Sequence, residues 1–233
     1  MKKTKIINLY SGPGTGKSTM CAALFAEFKF SGIDCEMATE YAKDVVWEKS
    51  FKKLECQPYI FGKQLHRLAR LNGQVDYVIT DSPLLLSLVY DKDKSQEFIN
   101  YALKEYNKFD NINIFLIRQK KYNPNGRMQT ETEAKVKDKE IRALLDTLKI
   151  HYTEAVSEKS SVYLISDMIL HGSNTLSVIQ QLKAMPGLET SIDPNVTAKD
   201  LQNAILRHCR YGAEQLKELT RNDIIDGGTG MGY

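Results

Sequence analysis

The sequence predicts an α/β domain, a five-stranded parallel sheet with helices on both faces, followed by a C-terminal helical appendage. Three observations predict it. An apolar strand pattern from Ile6 to Tyr10 runs into a glycine-rich turn and then into a helix-period segment. Further short apolar runs recur along the chain, separated from one another by helical patterns. These runs lack regular polar alternation, as strands covered on both faces do. Right-handed crossovers then leave few topologies. With 233 residues and 42% hydrophobic residues, the chain is long enough to bury one substantial core.

The elements follow in order. After the first strand, the turn Ser11-Gly12-Pro13-Gly14-Thr15-Gly16 leads to a helix with Met20, Leu24, Phe25 and Phe28 on one side, closed by Ser31-Gly32. Ile33 to Ala38 is the second strand. Thr39 can cap a helix that begins near Glu40 and carries Tyr41, Val45, Val46 and Trp47. A helix from Pro58 to Leu71 turns Ile60, Phe61, Leu65, Leu68 and Leu71 inward. Val75 to Thr80 is the third strand, ending in Asp81-Ser82-Pro83; a helix from Ser95 to Tyr106 and a fourth strand from Ile112 to Ile117 follow.

The polar segment Tyr122 to Glu133, opening on Asn123-Pro124-Asn125-Gly126, reads as a lid ahead of a charged helix from Ala134 to Leu148. Two segments compete for the fifth strand, Ile150 to Val156 and Val162 to Ser166, and the first is favoured. A helix from Thr175 to Met185 closes the domain at 1–185. Residues 186–196 form a linker. Residues 197–233 hold one more helix, opened by the capping-box-like Thr197-Ala198-Lys199-Asp200, and a glycine-rich tail.

Charge and cysteine usage exclude some classes. The 32 lysines and arginines against 29 acids leave a net charge of +3, too little to announce a nucleic-acid coat or a membrane binder, though compatible with an anionic substrate. Cys21, Cys35, Cys56 and Cys209 form no CxxC pair and lie far from zinc-ligand spacing, so they read as reduced thiols. The N-terminal strand is too short for a signal peptide, and no stretch approaches the roughly 18 apolar residues of a membrane span. A soluble, cytoplasmic protein is expected.

The chemistry concentrates in Gly12-Pro13-Gly14-Thr15-Gly16-Lys17-Ser18-Thr19. Glycines let successive backbone N–H groups turn around a phosphate, and the helix that follows presents its positive end to the same anion. Lys17 can reach the β- and γ-phosphates and the Ser18 hydroxyl can hold Mg²⁺, so ATP and Mg²⁺ are the expected cofactors. Ser11 stands where the general phosphate-loop pattern has its first glycine. Asp81, ending the third strand, is the candidate second metal ligand, with a turn or helix-cap role as its alternative. Glu40, just past the second strand, suits either a proton acceptor for an attacking hydroxyl or the first turn of a helix.

Arg127 in the lid, and Arg118 at the end of the fourth strand, can supply positive charge to a transferring phosphate, while Tyr41 and Trp47 can wall an acceptor pocket. Asn107-Lys108-Phe109-Asp110 spells the guanine-reading NKxD pattern, but closes a helix instead of following a strand, so coincidence explains it better.

On the phosphate loop, Glu40-Tyr41-Ala42-Lys43, Thr80-Asp81-Ser82-Pro83 and Gly126-Arg127, the chain resembles the P-loop kinases. Within them it is similar to the group that holds the nicotinamide-riboside kinase domain of bacterial NAD regulators and small phage-encoded proteins described as AAA-domain ATPases. The glutamate after the second strand also resembles the catalytic base of deoxynucleoside kinases. The resemblance spans about Lys5 to Met185. It implies strand order 2-3-1-4-5, MgATP as phosphate donor and a hydroxyl acceptor. The leading expectation is a kinase acting on a hydroxyl of a nucleoside, a nucleotide or a hydroxymethyl-pyrimidine base in DNA, in a host cytoplasm if phage-encoded. On the matched segments the expected catalytic residues are Lys17, Glu40, Asp81 and Arg127; the candidate acceptor contacts, Tyr41, Trp47 and Arg118, rest on those residues' own positions and not on the resemblance. Ser82 departs from the deoxynucleoside kinases, which carry an arginine there. The alternative is a nucleotide-gated regulatory ATPase that signals to a protein partner, or to a second copy of itself, through the C-terminal helix. The absence of a glutamate after Asp81 argues against this, while the C-terminal appendage argues for it.

Overall fold

The structure, a computed structural model, describes residues 3–119 and 130–172. The chain divides into two compact units, Met1–Glu158 and Lys159–Tyr233. The first unit holds β1 (Lys5–Tyr10), α1 (Lys17–Phe30), β2 (Cys35–Ala38), α2 (Tyr41–Trp47), a 3₁₀ turn (Phe51–Glu55) and α3 (Gln57–Ala69). After these come β3 (Tyr77–Thr80), α4 (Leu86–Tyr90), α5 (Gln96–Tyr106), β4 (Asp110–Ile117), α6 (Glu131–Thr147) and β5 (Thr153–Val156). The described part of the second unit forms α7 (Ser160–His171), which closes on Gly172 in the left-handed region at φ 66°.

The sheet has five parallel strands in the order β2-β3-β1-β4-β5, as the sequence implied. β1 lies between β3 and β4, and Ile6, Ile7, Leu9 and Tyr10 are all fully buried, which is why this strand shows no polar alternation. Alternate residues serve opposite faces. Ile6 and Tyr10 join Phe61, Val78, Leu85, Phe98, Phe115 and Ile141 in one core cluster. Burying each of the aliphatic and phenylalanine side chains contributes about 1.5–3 kcal/mol relative to leaving it exposed. On this same face sits Asn8, which a strand core tolerates only if its amide is paired.

Asn8 meets that condition through a side-chain network. Its Nδ2 donates to Asn111 Oδ1 at 2.9 Å and to Asn113 Oδ1 at 3.1 Å. The Tyr106 hydroxyl donates to Asn113 Oδ1 at 3.0 Å, and Asn113 Nδ2 donates to the His151 carbonyl at 2.9 Å. The network therefore ties β1, α5, β4 and the approach to β5.

Several expected boundaries shift for local reasons. α6 starts earlier than Ala134 because Thr130 and Glu133 form a reciprocal capping box, the Thr130 N–H donating to Glu133 Oε2 at 2.7 Å. Thr39 does not cap α2. Its carbonyl and hydroxyl oxygens both accept from Arg67, at 2.9 and 3.0 Å, and Glu40 occupies the cap position in an extended conformation. The fifth strand is Thr153–Val156, inside the favoured segment, whereas Val162 to Ser166 lies within α7. The lid segment with Arg127, the helix from Thr175, the linker at 186–196 and the appendage at 197–233 lie outside the described residues. Among the described residues no helix is long and apolar enough to cross a membrane.

The parallel register fixes one functional edge. β1, β2, β3 and β4 all end on the same side, so the phosphate loop, Glu40, Asp81 and Arg118 emerge together. Asp110 pairs with Lys5 at the opposite end of β1, so the Asn107 motif sits at the far edge from the loop.

Removing the shared acceptor Asn113 should expose how much the polar network contributes. In Asn113→Ala, the buried Tyr106 hydroxyl and one Asn8 hydrogen bond lose their partner, at a cost of about 1–3 kcal/mol. Urea unfolding should show this as a lowered midpoint. An unchanged midpoint would mean the network contributes nothing to stability.

Candidate active site

The loop between β1 and α1 is shaped by what its glycines permit. Gly14 and Gly16 take positive φ of 77° and 111°, a region that L side chains avoid. Gly16 caps α1 with no side-chain bond, so the first N–H groups of this helix remain available to an anion. Gly12 is constrained by space instead. A Cβ there would lie 2.6 Å from the Ala134 carbonyl oxygen and 2.8 Å from Asp138 Oδ1, both on α6. A Cβ on Gly16 would lie 2.6 Å from the Ser157 hydroxyl beyond β5.

Lys17 folds back over the loop. Its ammonium donates to the Ser11 carbonyl at 2.7 Å and the Gly12 carbonyl at 3.1 Å, and the Thr15 hydroxyl donates to the same Gly12 carbonyl at 3.1 Å. The Gly12 N–H donates to Asp138 Oδ1 at 2.5 Å. Burial pushes the Lys17 pKa below its ordinary value, while the fields of Glu40, Asp81 and Asp138 push it back up and that of Arg118 pushes it down. Three carboxylates therefore lie within electrostatic reach of one ammonium.

These carboxylates differ in their surroundings. Burial raises the Glu40 pKa above its ordinary 4.5, Lys17 opposes that shift, and Asp81 adds to it. Asp81 is 4% exposed, and its Oδ1 has no hydrogen-bond partner. It also abuts Cys21, whose thiol is pushed up chiefly by burial and further by the Asp81 charge. Asp138 accepts from Arg118 through its second oxygen, from Nε at 3.1 Å and from a terminal nitrogen at 3.0 Å. The other terminal nitrogen of Arg118 is buried without a partner. Tyr90, at the end of α4, is pushed up by burial and then by the fields of Glu40, Asp138 and Glu140; the Lys137 ammonium lies 5.1 Å from its ring centre.

The remaining candidates spread along α2. Tyr41 follows Glu40 directly. Its hydroxyl is 2.8 Å from that of Tyr59, the rings meet edge to face at 5.9 Å, and Arg67 lies 5.4 Å over the Tyr41 ring. The Tyr59 hydrogen bond, with burial, raises the Tyr41 pKa to about 12. Trp47 is 73% exposed at the end of α2. Ser18 and Thr19 are exposed on the first turn of α1.

The structure thus brings Lys17, Glu40, Asp81 and Arg118 together at one edge, packs the Tyr41 ring against Tyr59 and Arg67 instead of against these four, and leaves Trp47 on the surface. Asp138 and Tyr90 are the site residues that sequence reasoning missed. Neither sits in a motif, and Asp138 is one of many charges on α6. The oxygen donors present fit a hard divalent cation, with Asp81 Oδ1 unpartnered and the Ser18 hydroxyl exposed. The glycine cradle and Lys17 fit the phosphates of a nucleotide.

A family model described as an AAA domain matches residues 6–160. Among solved structures, the chain is similar to deoxyadenosine kinase from M. mycoides with the products dCMP and a flexible dCDP bound, at 20% identity over 72% of this chain and 97% of that one, with a TM-score of 0.46. It is also similar to a cysteine-to-alanine mutant of the APS kinase of Mycobacterium tuberculosis, at 18% identity over 63% of this chain and 99% of that one, with a TM-score of 0.31. No curated protein matches the sequence.

The contact at Gly12 generates a test of the loop. In Gly12→Ala the new methyl meets backbone of α6, which cannot rotate away as a side chain would, so α6 or the loop must move. Overpacking of this kind costs about 1–3 kcal/mol, a fall of several degrees in Tm. ATP affinity, followed by calorimetric titration, should fall with it. Wild-type Tm and affinity together would show that α6 does not press on the loop.

Proposed function

The chain belongs to the AAA-domain family, and on that footing we propose that it is a phosphotransferase that moves the terminal phosphate of ATP onto a hydroxyl group. The observation that carries the reading is Glu40, a carboxylate with a raised pKa that caps α2 at the strand-end edge shared with Asp81 and lies in the field of the Lys17 ammonium. In the reaction, the acceptor oxygen attacks the γ-phosphorus as the bond to the β,γ-bridging oxygen breaks. The bonding electrons leave with ADP, and the hydroxyl proton passes to Glu40.

Each group has a distinct part in this step. Lys17 and the free N–H groups of α1 offset the negative charge that builds on the phosphate oxygens. Ser18 and Asp81 would hold Mg²⁺, which when bound supplies further charge neutralisation between the β- and γ-phosphates. Arg118 adds a second cation at the same edge, and Arg127 is proposed to approach from the lid. Tyr41, the first residue of the helix that Glu40 caps, is proposed to contact the acceptor, and its ring suits a nucleoside- or nucleotide-type alcohol, while Trp47, exposed at the far end of that helix, adds no support.

Glu40→Gln separates this reading from a first-turn role. Loss of general-base assistance should lower turnover with the true acceptor roughly 10²–10⁴-fold while ATP affinity persists. The pH profiles give an independent check. Glu40 must be ionised to accept a proton, so wild-type kcat/KM should fall on the acid side through a pKa above 4.5, and the variant should lose that limb. For stability, a raised folded-state pKa means that the contribution of Glu40 is complete below its unfolded pKa and is lost as pH rises through the folded one. Glutamine stays neutral, so the variant should gain Tm relative to wild type between acid and neutral pH. Normal turnover alongside a lowered Tm at neutral pH would remove Glu40 from the chemistry.

A further inference from the structure

We propose that Asp138 is a positioning residue for nucleotide binding: its carboxylate fixes the entry of the phosphate loop through the Gly12 N–H, and Arg118 locks that carboxylate in place. The proposal rests on the reading of the loop as a nucleotide site and adds a residue that no part of the loop motif contains.

The connections converge on Gly12. Its N–H goes to Asp138, and its carbonyl accepts both the Thr15 hydroxyl and the Lys17 ammonium. Gly12 is buried and the Pro13 that follows has no N–H, and the Gly12 N–H is the donor that meets α6 at Asp138. A shift of Gly12 would carry the Thr15 and Lys17 contacts with it. Asp138 itself cannot swing away freely, because its second oxygen accepts two hydrogen bonds from Arg118, which directly follows β4. α6 is anchored in turn by its Thr130 capping box and by buried Ala134, Ile141 and Leu145. The chain of contacts therefore runs from core to helix to carboxylate to loop to Lys17.

Charge alone argues the other way. A carboxylate next to a phosphate site repels the ligand, and Arg118 offsets that repulsion. Geometry and charge thus predict opposite signs for removal of Asp138, which makes the role measurable. If Asp138 acts mainly as a charge, its loss tightens ATP binding. If it positions the loop, its loss weakens ATP binding, and a side chain that keeps an oxygen for Gly12 but not the Arg118 contact restores part of it.

The experiment compares the full chain with Asp138→Ala and Asp138→Asn, using calorimetric titration with MgATP and the Gly12 amide signal in a ¹H–¹⁵N spectrum recorded without nucleotide. Asp138→Ala should weaken ATP binding about tenfold, the scale of one lost charge-assisted hydrogen bond. Asp138→Asn should recover part of that loss, because its remaining oxygen can accept from Gly12 while its amide nitrogen cannot accept from Arg118, and the Gly12 amide proton should move upfield in Asp138→Ala as its acceptor disappears. ATP binding by Asp138→Ala as tight as wild type, or tighter, would overturn the proposal, as would an unmoved Gly12 amide. A lowered Tm in both variants with unchanged affinity well below that temperature would reduce Asp138 to a structural residue and overturn it too. Neither readout requires an acceptor, so failure to find a phosphorylated product leaves the proposal standing. A wild-type chain that binds no ATP overturns the nucleotide reading and this proposal with it.

Discussion

A desolvated ammonium held among opposing charges is the constraint on which the rest of the site depends. Burial works against the charged form of Lys17, and the carboxylates of Glu40, Asp81 and Asp138 work for it. These partners come from the segments after β2 and β3 and from α6, so they converge on Lys17 only if the strands stand in the order β2-β3-β1-β4-β5 and end at one edge. Placing β1 at the centre sets the loop between all its partners. The buried apolar strands and the Asn8 network hold that order, and the site is its consequence.

The same electrostatics that steady Lys17 also set up reactivity. Burial raises the proton affinity of Glu40 in the field of Lys17, which in the proposed transfer suits it to take a proton from an alcohol. Asp81 keeps an oxygen without a partner in a nearly fully buried position, an arrangement that costs free energy unless a cation or donor meets it. Asp138 is the exception among the three. Both its oxygens are engaged within the protein, so it serves the loop's shape, while Glu40 and Asp81 remain available for chemistry.

Much of this was legible in the sequence because it depends on local pattern. β1 announces itself by an unbroken apolar run, the loop by its glycines and Lys17, and Asp81 and Glu40 by standing at strand ends. What escaped has identifiable physical causes. α4, Leu86–Tyr90, is too short to display a helical period, and the 3₁₀ turn Phe51–Glu55 carries no buried residue to mark it. The start of α6 was hidden in a polar stretch, although Thr130 and Glu133 stood at capping-box spacing. Val162 to Ser166 is rich in residues that strands and buried helices share, and only the structure decides for α7. Asp138 is separated from Gly12 by more than half the chain, and no local spacing connects them. The Arg67 bonds that displaced Thr39 from its cap likewise join residues on different elements.

The central claim is that ATP gives up its terminal phosphate to an alcohol and not merely to water. Incubation of the full chain with γ-labelled ATP, magnesium and a panel of nucleosides and nucleotides, with products separated by chromatography, tests this most directly. The account predicts label in an acid-stable phosphomonoester of one panel member, with ADP formed in equal amount. Label appearing only as inorganic phosphate, at a rate indifferent to every alcohol offered, would contradict it.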